Sequence, residues 1–391
     1  MTVTVSKPAL NLREELSALK KPTGIKGEEL LRANTVDDVY TAINPVMFRN
    51  RIINGDMRID QRNAGASVSL TGVTGFVVDR WNTVVRPTGG GTITGQQISD
   101  APAGFSNSTR LTVNTADSSL ASLDYYFHWQ KIEGFNTYDL AFGTANASPV
   151  TLSFWVKSSI TGQFSTFLTN ATEAYSCAIP YTINTANTWE RKVITFSGAT
   201  AGTWVGSTNG AGIIVGFGLT NGTSLLGSPG VWGSTAYGST GDTNWMATSG
   251  NTWQVTGVQL EKGTVATPFE HRPFGSELLL CQRYYEKSYD IGTAIGTSST
   301  GIVAPQITTT NYYNNGLPRW MVEKRTTPTV VIYNSNTGTV NSLYNTDSGA
   351  NVTISSLTGV NTKGYQYIYS SATAASAGQR LEYHYTVSAE L

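Results

Sequence analysis

Cysteine, histidine and charge are all scarce in this chain of 391 residues, which has two Cys, three His and only 13% charged side chains. Cys177 and Cys281 form no CxxC pair, no zinc-ligand spacing and no disulfide framework, so they read as small, buried, free side chains. With so few His and no HExxH, a catalytic zinc site has no ligand set. Carboxylates are scattered, with no DxE, ExD or DxD pair such as could flank a glycosidic bond. GxSxG elbows and Walker loops are missing too. No enzyme, cofactor or metal is therefore expected. Lys and Arg (26) balance Asp and Glu (26) without a basic stripe, which excludes a nucleic-acid partner. No uncharged apolar run reaches the roughly 18 residues of a membrane span, so no membrane insertion is expected. MTVTVSKPAL lacks the basic-then-apolar layout of a signal peptide, which points to synthesis in a cytosol.

What the chain does have is 9 Trp, 13 Phe and 19 Tyr, too many aromatics for disorder. Charge is concentrated in residues 1–50 and is absent from Val193 to Gly241. Residues 10–43 read as two short helices. Asn11 and Glu14 make a capping box, and Leu12, Leu16 and Leu19 form one apolar stripe. After Pro22-Thr-Gly24, a second stripe follows from Val36, Val39, Tyr40 and Ile43. Helices this small build no core alone, so their stripes pack on a partner, on a symmetry copy or on the chain's own body.

From about Val46 to His271, short β-branched or alternating runs recur between Gly, Ser, Thr and Asn turns. In Val150-Thr-Leu-Ser-Phe-Trp-Val156, Val150, Leu152, Phe154 and Val156 share one face. Many short strands with few helical stretches predict a β-sandwich of jelly-roll type. Pro268-Phe-Glu-His-Arg-Pro273 reads as a boundary, and a helix follows with Ser276 as its expected N-cap. Strands then return. The last places Leu381, Tyr383, Tyr385 and Val387 on one face and Arg380, Glu382, His384 and Thr386 on the other. The expected fold is mainly β: short N-terminal helices (1–46), a jelly roll (47–272), and a second, smaller β-sandwich preceded by a helix (273–391).

Asp124, His128 and Glu133 are the densest titratable cluster and read as structural, with an acid–base pair as the rival. Asp79-Arg80 reads as an acid–guanidinium pair fixing a sheet corner. The uncharged stretch ends in the Gly-rich segment 227–245, read as a long loop carrying Trp232, Tyr237 and Trp245. Rings among Ser, Thr and Asn suit the apolar face of a sugar. Glycan contact, contact with a sister chain and inward packing all remain open for them. The segment 311–320 offers Tyr312, Tyr313 and Trp320 as a second glycan candidate. Tyr365, Tyr367 and Tyr369 share a strand face, which suits a core or subunit interface, or else a receptor surface.

Asn50-Arg-Ile-Ile-Asn-Gly-Asp56, Asp60-Gln-Arg62 and Val78-Asp-Arg-Trp81 resemble the opening of sugar-binding-module-like domains in bacteriophage tail fibres. Gln130-Lys-Ile-Glu133, Leu152-Ser-Phe-Trp155 and Thr188-Trp-Glu190 are similar to the middle of such domains. Gly257-Val-Gln-Leu-Glu261 and Ala266-Thr-Pro-Phe-Glu270 are similar to their close. Cys281-Gln-Arg-Tyr-Tyr285 and Val387-Ser-Ala-Glu-Leu391 resemble the C-terminal module of the same fibres. The resemblance implies a virion protein, assembled in the host cytoplasm as a homotrimer. Residues 1–46 would anchor it to other tail or virion proteins, and its modules would adhere to a host surface glycan. The alternatives are a capsid decoration or head-fibre protein without a receptor role, and a glycan-degrading spike. The opening also resembles family 4/9 carbohydrate-binding modules, which often hold a structural calcium ion with an acid in the closing strand. Here that strand reads Val255-Thr-Gly-Val-Gln259, with no acid before Glu261.

Overall fold

The computed structural model describes residues 49–72, 74–304, 307–309, 312–313, 319–370 and 378–391. The expected anchoring helices, with Leu12, Leu16, Leu19, Val36, Val39, Tyr40 and Ile43, lie outside them. Among the described residues strands come first: β1 (Val68–Thr71), β2 (Thr74–Val78), β3 (Trp81–Arg86), β4 (Thr92–Ile98), β5 (Ser108–Thr115), β6 (Tyr125–Glu133) and β7 (Val150–Ser158). Next are β8 (Gly162–Thr169), β9 (Ser176–Ile183), β10 (Glu190–Phe196), β11 (Ala211–Asn221), the short β12 (Leu226–Gly227) and β13 (Gly238–Ser239), and β14 (Thr252–Lys262). Two six-stranded sheets face each other, β1-β4-β5-β14-β7-β10 and β2-β3-β6-β11-β8-β9. The mainly β, jelly-roll architecture is thus as expected.

Alternation explains the sandwich. Val150, Leu152, Phe154 and Val156 are all fully buried, and meet Val215, Phe217 and Trp253 in one core. Burying each such side chain contributes about 1.5–3 kcal/mol. His128 also points inward, stacked on Trp81 with ring centroids 5.1 Å apart. Its Nδ1 meets the Thr83 hydroxyl at 2.8 Å. Burial pushes its pKa down to about 3, so at neutral pH it is an uncharged core side chain. Asp124 instead accepts from the Thr88 and Ala121 backbones, and Glu133 lies at the junction described below. The three titratable residues are therefore not gathered into one site. Cys177 and Cys281 are free and buried.

The chain continues through one helix, α1 (Phe274–Gln282), then β15 (Tyr285–Lys287), β16 (Ile302–Ala304), β17 (Ile307–Thr309) and β18 (Tyr312–Tyr313). It ends in β19 (Thr329–Asn334), β20 (Ser342–Asn345), β21 (Ala350–Thr358), β22 (Tyr367–Ser370) and β23 (Leu381–Ser388). β23 is the hub, pairing with β15, β16, β19 and β20. Leu381, Tyr383, Tyr385 and Val387 enter a second core with Trp320, Leu343 and Tyr365. The opposite face is covered as well, for Tyr289 stacks on His384 at 3.7 Å. Ser276 is not the N-cap of α1: Pro273 stands there with no side-chain cap bond. The Pro273 carbonyl accepts the first helical bond, from Glu277 N–H at 3.1 Å. Glu277 in the first turn accepts from the Asn54 backbone N–H instead.

Residues 50–391 cohere as one compact unit, and the motifs singled out above explain how. Asn50 donates to the Val258 carbonyl (3.1 Å) and accepts from Leu260 N–H (3.1 Å), tying the entering chain to β14. Gly55 lies so close to this strand that a Cβ there would sit 2.2 Å from the Val258 carbonyl. Arg283 grips Glu133 with two bonds of 2.8 and 2.9 Å. Arg62 lies 4.2 Å from the Phe76 ring centre and 3.7 Å from that of Tyr285, and Arg80 is 3.5 Å over Tyr284. Both guanidiniums reach Glu390. Asp79 and Arg80 therefore do not pair with each other, contrary to expectation. A left-handed backbone at Arg80 (φ 71°) separates them, and Asp79 accepts from Gln61 instead.

Candidate functional site

The outer face of the second sheet carries a ladder of rings. Tyr125, Phe127 and Trp129 alternate along β6, so all three project to the same side. Tyr125 and Phe127 stack 5.1 Å apart, and Phe127 and Trp129 are 4.5 Å apart. Lys131 continues the row, its ammonium 4.9 Å from the Trp129 ring centre. On neighbouring β3 the register sets Asn82 opposite Trp129, Val84 opposite Phe127 and Arg86 opposite Tyr125. Phe76 on β2 lies beside Asn82. Together these residues line a groove of about 250 Å³, just below the range of ligand-pocket volumes, roughly 300–1,000 Å³.

Its floor is apolar and its rim polar. Phe127 is 1% exposed, while Tyr125, Phe76, Asn82 and Lys131 are half-buried and Arg86 is exposed. Asn82 Oδ1 is buried with no hydrogen-bond partner among the described residues. An acceptor left this way costs about 1–3 kcal/mol, so it favours a donor brought by a ligand. The groove's two carboxylate side chains are already engaged. Glu390 holds Arg62 and Arg80, and Glu173 accepts the Tyr237 hydroxyl at 2.6 Å. Among the described residues no group of three His, Cys, Asp or Glu is placed to hold a metal ion.

The expected ring loop does not act as one platform. Trp245 is fully buried in the sandwich core and has no exposed face. Tyr237 is 4% exposed and lies on the ladder, 4.8 Å from Phe127 and 5.5 Å from Tyr125. It covers these rings and does not line the groove, and burial together with its bond to Glu173 pushes its phenol pKa up. Glycines on β11 make this approach possible, since a Cβ at Gly218 would sit 2.0 Å from the Tyr237 carbonyl. Trp232 lies elsewhere. It donates to the Ser197 carbonyl and stacks on Tyr175 at 5.8 Å, with Trp204 and Phe142 at the same distance. The structure thus separates the three rings and, of the readings left open, gives inward packing to Trp245 and Tyr237.

In the C-terminal part, Trp320 is buried against Tyr365 and Tyr385, its indole N–H donating to the Asn361 carbonyl. The backbones of Tyr312 and Tyr313 form β18, paired with Tyr369 and Ile368 of β22. Tyr365 is a core residue bonded to the Tyr383 hydroxyl, whereas Tyr367 and Tyr369 are half-buried. The ladder was overlooked in the sequence although its signal was present. Tyr125, Phe127 and Trp129 repeat every second residue, and Asn82, Val84 and Arg86 do the same.

No protein-family model and no curated protein matches this chain. Among solved structures, the enzymatically active domain of tailspike protein 4 from bacteriophage CBA120 is similar at 15% identity and a TM-score of 0.29. That match covers 55% of this chain and 21% of the tailspike chain. A family 4 carbohydrate-binding module is similar at 13% identity and a TM-score of 0.27, covering 54% of this chain and 99% of the module. A family 11 carbohydrate-binding module from Clostridium thermocellum, in complex with a mixed-linked tetrasaccharide, matches at 11% identity and a TM-score of 0.27. It covers 52% of this chain and 98% of that one. Scores this low leave the chemistry of the groove to be argued from the residues of this chain.

Proposed function

We propose that this chain is a non-catalytic adhesin of a bacteriophage virion, a tail-fibre protein that binds host-surface glycan in the groove over β6. The observation that carries the binding role is the pair of half-buried rings, Tyr125 and Phe76, lining the groove with the orphaned Asn82 oxygen. Rings accept the C–H face of a pyranose, and a buried acceptor takes one of its hydroxyls. Engagement of Glu173 and Glu390 in other bonds leaves neither poised for acid–base work on a glycosidic bond, which favours binding over cleavage. Placement in a virion rests on the tail-fibre resemblance of the motifs that build the junction. On the same ground we take the chain to be a homotrimer whose residues 1–46 dock to other virion proteins. Several weak sites per particle would then yield firm attachment.

The test is binding of the full chain to an array of bacterial surface glycans. Tyr125→Ala is expected to weaken the bound species about two- to tenfold, the range of one aromatic contact. Asn82→Ala should act in the same direction. No glycan bound, or affinity untouched by either variant, removes the groove reading. Release of reducing ends would mean a cleaving spike, and binding confined to neutral matrix with no host cell attachment would favour a head fibre.

A further inference from the structure

A second pocket, of about 410 Å³, opens on the C-terminal sheet, far along the chain from the groove residues. Its walls come from two segments stitched by their backbones. Arg319 bridges Gly364 across an antiparallel pairing, and Trp320 N–H donates to the Lys363 carbonyl at 3.1 Å. The loop itself is stiff. Asn361 accepts from Lys363 N–H at 2.8 Å and donates to the Gly359 carbonyl at 3.0 Å. The Trp320 indole clamps the same loop from behind through the Asn361 carbonyl. Arg319 and Lys363 both line the pocket that these segments form. Both are exposed, and neither has an ion pair among the described residues. No acid lines the pocket. Glu323, the carboxylate that reaches this loop, accepts from the Thr362 hydroxyl instead.

Two cations lining one pocket with no acid in its walls favour an anion bound between them. Gln366 adds a carboxamide at the rim, and Tyr365 forms the floor. The volume falls within the range of small-molecule sites, roughly 300–1,000 Å³, which is ample for a sugar ring. We propose that this pocket binds an acidic saccharide. Arg319 and Lys363 hold its carboxylate or phosphate, and Gln366 bonds a hydroxyl. The guanidinium suits a planar carboxylate in two-point fashion, and the ammonium adds a point charge.

The experiment is titration of the full chain with three probes: a glucuronate-containing tetrasaccharide, a neutral glucose tetrasaccharide and inorganic phosphate. The uronate probe is expected to bind, and to weaken as salt is raised. The double variant Arg319→Gln, Lys363→Gln is expected to weaken it at least about tenfold. Any groove binding of the neutral probe should be unaffected by that variant. Absence of uronate binding overturns the proposal, as does binding that survives the double variant. Phosphate bound at the two cations while the uronate is refused would also overturn it, since the site would then take a bare ion and no sugar.

Discussion

Replacing Asp79 by Asn is expected to change how stability depends on pH. Asp79 is fully buried at the junction, where burial raises its carboxyl from 3.8 to about 7, against the opposing effects of Arg62 and the Gln61 bond. A carboxyl raised in the folded state stays protonated there while the unfolded chain has already ionised. The stability it supplies is full below about pH 4 and is lost as pH rises through 7. The slope is about 1.4 kcal/mol per pH unit, or about 4 kcal/mol across the window. His128 acts in the other direction. Its folded pKa is depressed from 6.5 to about 3, so its contribution is present above pH 6.5 and is lost as pH falls. The two slopes oppose each other over the shared range. Asparagine removes the first and leaves the second, so the variant should gain stability over wild type as pH rises from 4 to 7. Urea unfolding of both proteins at several pH values reads this as a difference, in which all other titrating groups cancel. A wild-type-minus-variant difference that stays constant from pH 4 to 7.5 would falsify the assignment of a raised pKa to Asp79.

Three further outcomes are expected. Glu390→Ala leaves the buried Arg80 guanidinium without its carboxylate, which should cost about 3–5 kcal/mol in chemical denaturation; a loss under about 1 kcal/mol would mean that the Tyr284 ring and the Lys131 carbonyl hold Arg80 alone. Gly218→Ala drives a Cβ into the Tyr237 carbonyl, with an expected cost of about 1–3 kcal/mol and faster hydrogen exchange over 226–239, whereas unchanged exchange would show that β11 yields in place of the loop. Sedimentation of the purified chain should give three times the single-chain mass, and a monomer at micromolar concentration would remove the trimer from the proposed function.

Strand facing was legible because period-two alternation is local. Val150 to Val156 and Leu381 to Val387 could be sorted into faces without knowing their neighbours in space. The Trp232, Tyr237 and Trp245 segment was not legible, because what decides its burial is remote. Asn244 donates to the Asp117 carbonyl, Ala236 N–H to Ser176 and Thr235 to the Glu173 carbonyl. Gly218 leaves the trough that admits Tyr237. Composition showed a Gly-rich loop and said nothing about these partners. At Asp79-Arg80 adjacency misled in the opposite sense, since neighbours in sequence turned to different partners around a left-handed residue. The groove lay between these cases. Its ring spacing was visible, but which face of β6 met the sandwich core and which met the 225–237 segment depended on remote partners.

The stitch at Asn50 also sets a route for mechanical load. Asn50 binds the closing strand β14, and its own backbone N–H donates to Glu270 at 2.7 Å. Arg272 reaches the carbonyls of Asn50 and Ile52. The chain thus enters and leaves the sandwich at one point. A pull between Asn50 and α1 would load this short set of bonds. The residues that line the ring groove take no part in these bonds.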